Sequence, residues 1–128
     1  MHPVVHNITI DTTGDPYYLA QFWSGLLGRP MSVEDQPGDP GAIVLVTEGC
    51  PPLLFLRVPE GKSVKNRIHL DIQPSAGRTR DQEVDRAVRL GATQVADHRN
   101  ADGSGFVVLA DPEGNEFCIV RSEAERTA

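Results

Sequence analysis

Two short stretches of this chain carry side chains capable of chemistry at alternate positions. In Arg67-Ile68-His69-Leu70-Asp71, the charged and titratable residues are separated by apolar ones; in Glu116-Phe117-Cys118-Ile119, a carboxylate and a thiol are spaced the same way. Successive side chains of a strand point to opposite faces, so each stretch reads as a strand with one dry face and one chemical face. Histidine exchanges protons near neutrality and a carboxylate can orient it, which makes His69 and Asp71 a candidate catalytic acid/base pair. The alternative is a wall histidine that only hydrogen-bonds a neighbour or a ligand, because residues two apart on a strand sit about 6.6 Å apart at Cα. Arg67 has forked donors suited to an anionic ligand, or to an ion pair with Asp71 or Glu116. No histidine adjoins Cys118 in sequence, so it reads as a half-buried inert thiol rather than a nucleophile.

The elements that must hold these residues follow from local pattern. Asp111-Pro112-Glu113-Gly114-Asn115 is a turn, with proline presetting φ and glycine free to take positive φ, and it leads into the strand of Glu116. Glu113 in that turn reads as solvated. Val4 to Asp11 alternates as a strand, with Asn7, Thr9 and Asp11 opposite His6, Ile8 and Ile10. Asp11 is placed to face a ligand or to cap the turn Thr12–Gly14. Asp15-Pro16 is a helix start, Leu19, Phe22, Trp23, Leu26 and Leu27 form its apolar stripe, and Gly28 ends it. Short strands are expected at Met31–Glu34, Ala42–Thr47 and Leu53–Val58. Pro59–Lys65 is a polar connector. Beyond it come a strand over Arg67–Ile72, a helix opened by a Thr79/Gln82 capping box and striped by Val84, Ala87 and Val88, and strands at Thr93–Ala96, Gly105–Ala110 and Glu116–Arg121. His98–Gly105 is either a mobile rim or a plain hairpin, and the tail from Ser122 is expected to fray.

The order βαβββ is thus written twice, in a module spanning about 4–58 and another spanning about 67–121. Ile8-Thr9-Ile10-Asp11 parallels Ile68-His69-Leu70-Asp71, and each leads to a capped helix ended by Leu-Gly. A repeated unit too small to bury both faces of its sheet implies an α+β fold of two tandem modules whose open faces curve around a shared cup.

The 128 residues, with net charge −6 and pI near 5.1, make one domain and argue against nucleic-acid or anionic-membrane partners. Cys50 and Cys118 fall in no metal or redox spacing, which points to a reduced, cytoplasmic setting. A glycine-rich phosphate loop, a nucleophile elbow and a CxxC pair are all missing, which removes most other enzyme classes.

Phe22-Trp23 with Leu27-Gly28, Lys65-Asn66-Arg67-Ile68-His69-Leu70-Asp71, and Asp111-Pro112-Glu113-Gly114-Asn115-Glu116-Phe117-Cys118 together resemble the glyoxalase-like branch of the vicinal oxygen chelate superfamily. Glyoxalase I, bleomycin-resistance proteins and extradiol dioxygenases belong to that superfamily. The resemblance implies paired βαβββ modules and a homodimer, and it leaves function open because one fold hosts enzymes and binders.

Metal-using relatives place histidine and carboxylate ligands on the first and last strand of each module. The resemblance, with strand parity for the first strand, implies that those slots hold Asn7, Leu56, Arg67 and Cys118 here, and an arginine cannot ligate a cation. The expectation is therefore a small-molecule binder without metal. Its ligand would be lined by Asn7, Thr9, Asp11, Leu56, Arg67, His69, Asp71, Glu116 and Cys118. The alternative is a lyase, an isomerase or a dioxygenase-like enzyme. It would hold zinc, nickel, iron or manganese on His6, His69 and Glu116, or transfer protons without metal through His69 and Asp71.

Overall fold

Asp15 opens the first helix by accepting from the Tyr17 amide at 3.1 Å, with Pro16 as its first residue, and Gly28 closes it at φ 64°. The computed structural model describes residues 1–45 and 50–127, in two units, Met1–Lys62 and Ser63–Ala128.

The first unit runs β1 (Ile8–Thr12), α1 (Pro16–Leu27), β2 (Gly41–Val44) and β3 (Leu53–Arg57). Its sheet order is β1-β3-β2, with β1 parallel and β2 antiparallel to β3. Leu19, Phe22, Trp23 and Leu26 of α1 are buried with Ala42, Val44, Leu53 and Phe55, and the Trp23 ring stacks on Phe55 at 6.3 Å. Phe22 and Trp23 are thus core residues, as their helical spacing indicates.

Three local expectations change here. The strand begins at Ile8, and Val4, Val5 and His6 are exposed, because β3 offers partners only from Leu53 onward. Met31–Glu34 yields a single bridge, Met31 to Val44, since Ser32 and Asp35 turn the chain back at once. The turn after β1 is capped by Thr12, whose hydroxyl accepts from the Gly14 amide, and not by Asp11. The expected end of the next strand, Val46–Thr47, and the start of the following connection, Glu48–Gly49, lie outside the described residues.

The second unit runs β4 (Asp71–Ile72), α2 (Arg80–Leu90), β5 (Thr93–Arg99), β6 (Gly105–Ala110), β7 (Glu116–Val120) and α3 (Glu123–Thr127). The sheet order is β4-β7-β6-β5, with β4 parallel to β7 and the other pairs antiparallel. Thr79 and Gln82 form the reciprocal capping box. Val84 and Ala87 join Val107, Leu109, Phe117 and Ile119 in the core. Val88 does not: it opens onto a groove with Val84, Ala92 and Gln94, and the helix buries Arg80 and Glu83 instead. Glu83 is tolerable there because Arg86 meets it at 2.6 Å and Arg78 at 3.5 Å.

Residues 100–104 form a plain hairpin turn. The buried Arg80 guanidinium donates to the Gly103 and Gly105 carbonyls of this hairpin, both at 3.0 Å. The tail is ordered as α3, since Glu125 accepts from the amides of Ser122 and Arg80 at 2.8 and 2.7 Å. Most consequential, the strand expected over Arg67–Ile72 shrinks to Asp71–Ile72, because the preceding residues leave the ladder.

Candidate functional site

β7 fixes one wall of the site. Asp111 accepts from the amides of Glu113 and Asn115 at 2.9 and 3.0 Å, which closes the turn and sets the register of the strand behind it. From there Glu116 and Cys118 point to one face of β7, while Phe117 and Ile119 are fully buried on the other.

β4 meets this wall with Asp71 opposite Cys118, and the Cys118 amide donates to the Leu70 carbonyl at 2.9 Å. Alignment with metal-using relatives places Arg67 in a ligand slot. The side chain that approaches the thiol is instead His69, whose Nδ1 lies 3.8 Å from Cys118 Sγ and 3.1 Å from Asp71 Oδ1. The His69 and Asp71 side chains are 38% and 57% exposed, and Cys118 is 3% exposed. A small molecule can therefore reach the imidazole and the carboxylate, while the thiol forms a floor.

Burial pushes the Cys118 thiol up from its ordinary range, and the Asp71 charge adds to that push; the Lys65 ammonium partly opposes it. The thiol therefore stays protonated at neutral pH, as a weak donor rather than a nucleophile.

His69, Asp71 and Cys118 each offer one ligand atom, and these atoms all lie within 4.8 Å of one another. A tetrahedral zinc ion with bonds near 2.0–2.3 Å needs donors about 3.3–3.7 Å apart, so small rotamer changes would let this set hold one. Among the described residues neither His6 nor Glu116 belongs to such a group. His6 is exposed ahead of β1 in the first unit, and Glu116 accepts from the Asn66 amide at 3.0 Å.

Of the other expected residues, Arg67 is exposed just before β4, and Asp71 is engaged by His69 rather than by that arginine. In the first unit, Thr9 pairs with Leu54 and Asp11 with Leu56, so Thr9, Asp11 and Leu56 share the sheet face turned away from Phe55. Asn7 donates to the Thr9 hydroxyl at 2.8 Å and joins that side. Sequence reasoning gave no role to Lys65 or Asn66. Both lie in the stretch that carries the family resemblance, but they fall at the end of the polar connector, ahead of the strand expected from Arg67, where local pattern assigns no task.

Two mixed sheets, each backed by one long helix, define the glyoxalase/bleomycin-resistance fold of the vicinal oxygen chelate superfamily. Residues 7–120 match the family model of the glyoxalase-like domain, and the chain belongs to that family. Similar solved structures include a glyoxalase/bleomycin resistance protein/dioxygenase family enzyme from Burkholderia phytofirmans. It is 19% identical, with 90% of this chain and 95% of that one covered at a TM-score of 0.66. A fosfomycin resistance protein, FosX, from Listeria monocytogenes was solved with Mn(II) and 1S,2S-dihydroxypropylphosphonic acid. It is 14% identical over 98% of this chain and 95% of its own, at a TM-score of 0.67. Lactoylglutathione lyase from Agrobacterium tumefaciens is 19% identical over 93% of both chains, at a TM-score of 0.60. These likenesses establish the fold. No curated protein matches the sequence.

Proposed function

We propose that this glyoxalase-like domain binds a small organic molecule at His69, Asp71 and Cys118, with His69 as the group that exchanges a proton with it. The observation that carries the reading is the 3.1 Å contact between His69 Nδ1 and Asp71 Oδ1. It orients the imidazole and leaves Nε2 to meet a ligand. Arg67 and Lys65, close by in sequence, favour a ligand with an anionic group. In this reading the protein works without metal, as a binder or as a lyase or isomerase acting by proton transfer. The sheet face of the first unit with Asn7, Thr9, Asp11 and Leu56 is proposed as a ligand-contacting surface too. We also propose a homodimer in a reducing cytoplasm; both cysteines are free, and size-exclusion chromatography with light scattering tests the assembly.

The convergence of three donors supports a second reading, a divalent ion on His69, Asp71 and Cys118. The Mn(II) in the FosX structure lends it weight. The sulfur donor shifts preference toward zinc, which would polarise a carbonyl or acidify a bound water. Elemental mass spectrometry separates the readings. The protein is purified without added metal and then incubated with zinc, nickel, iron(II) or manganese. Metal below a tenth of an equivalent throughout is expected from the first reading. One equivalent per chain, lost in His69→Ala, establishes the second.

A further inference from the structure

We infer that Glu116 is a positioning residue for His69, acting through the backbone of Asn66 rather than on any ligand or metal. Strand pairing is assigned to none of residues 67–69, and the ladder with β7 starts only at Asp71. His69 would therefore ride on unpaired chain on its upstream side. Two bonds prevent this. The Asn66 amide donates to Glu116 Oε2 at 3.0 Å, and the Asn66 side-chain amide reaches the Glu116 carbonyl at 3.4 Å.

Downstream, the Leu70 carbonyl is held by the Cys118 amide at 2.9 Å. His69 is thus strung between two fixed points, three residues after one and one residue before the other. Both points belong to β7, two residues apart. A carboxylate accepting from an amide is a charge-assisted bond, stronger than the ladder bond it replaces. Glu116 performs in side-chain form what a longer β4 would do with its backbone.

The inference rests on His69 being the working group of the site, but its test needs neither ligand nor turnover. Ring 15N–1H correlation spectra of His69 at one fixed pH, with amide exchange at Asn66, are compared for the wild type, Glu116→Gln and Glu116→Ala. Gln keeps an acceptor oxygen of the right reach, so it is expected to preserve the wild-type ring signals. Ala is expected to shift or broaden them, and to speed Asn66 exchange about ten-fold or more. Exchange across the β6–β7 ladder should stay unchanged, which separates positioning from loss of fold. Asn66→Ala keeps the backbone donor and loses only the longer 3.4 Å bond, so its ring signals should move less than those of Glu116→Ala; a larger change would overturn the inference. Glu116→Asp, one methylene too short, gives the same reading as Ala should the Ala variant not fold. Wild-type ring signals in Glu116→Ala, or a Gln variant as perturbed as Ala, would overturn the inference. A protein that binds no ligand but shows the expected ring changes would sink the functional reading and leave this one standing.

Discussion

At the residue scale, the thiol of Cys118 reports on its neighbours. Burial and then the Asp71 charge hold its titration above the ordinary 9.0. The unfolded chain therefore gives up this proton first. The contribution to stability is complete below pH 9.0 and is lost as pH rises through the folded value. Asp71→Asn removes the repelling charge, so the Cys118 titration should move down without reaching the ordinary value, since burial remains. Alkylation rate against pH in a Cys50→Ser background measures it, and an upward move would contradict the site geometry. Gly105 offers a sharper residue-level test. Its φ is +96°, and a Cβ there would meet the His98 carbonyl oxygen at 2.2 Å. Gly105→Ala should cost about 1–3 kcal/mol from the backbone strain alone, with the overlap added, read as a lower urea midpoint.

Elements are held here by caps and clasps as much as by apolar faces. The Thr79 hydroxyl and the Gln82 side chain close the start of α2, so Thr79→Ala should cost about 1 kcal/mol in urea unfolding. The other end of the second unit depends on Glu125. Its net shift is downward: burial pushes the carboxyl up, but the amides of Ser122 and Arg80 hold it below the ordinary range. Because the folded value lies below 4.5, α3 is secured above that pH and released as pH falls through the folded value. Protection of the Arg80 amide, the slowing of its exchange relative to the intrinsic rate at the same pH, should therefore fall on acidification, and Glu125→Gln should show the acid-like protection already at pH 7. An Arg80 protection factor that is the same at pH 3 as at pH 7 would show that α3 is held by other contacts. The same element scale explains His69. With β4 only two residues long, the side chain that matters most stands just outside the ladder.

For the whole molecule, net charge −6 and pI near 5.1 set a colloidal expectation. Self-repulsion vanishes near pH 5, so light scattering should rise there and fall on either side. No described helix is long and apolar enough to cross a membrane. The single tryptophan, Trp23, is 1% exposed against Phe55, so its emission reports the core of the first unit. Phe55→Ala should red-shift that emission and cost about 3–5 kcal/mol. The family model spans both units, and this fold hosts binders and enzymes alike, so the site has to carry the functional argument.

The sequence alone determined whatever depends on near neighbours in the chain. Asp15-Pro16 and Thr79/Gln82 started the helices, Gly28 and Gly91 ended them, and the Asp111–Asn115 turn launched β7 with Glu116 and Cys118 on one face. Caps, turn geometry and alternation act over a few residues, so they are readable from order alone. The contact of His69 with Cys118 was decided only by the tertiary structure. It depends on the register of β4 against β7, residues some fifty positions apart, and a register slip changes which side chain meets which. The same holds for the bond of Glu116 to the Asn66 amide, and for α3, held by one carboxylate finding a distant helix start. Alternation names the face a residue shows; only pairing names its neighbour.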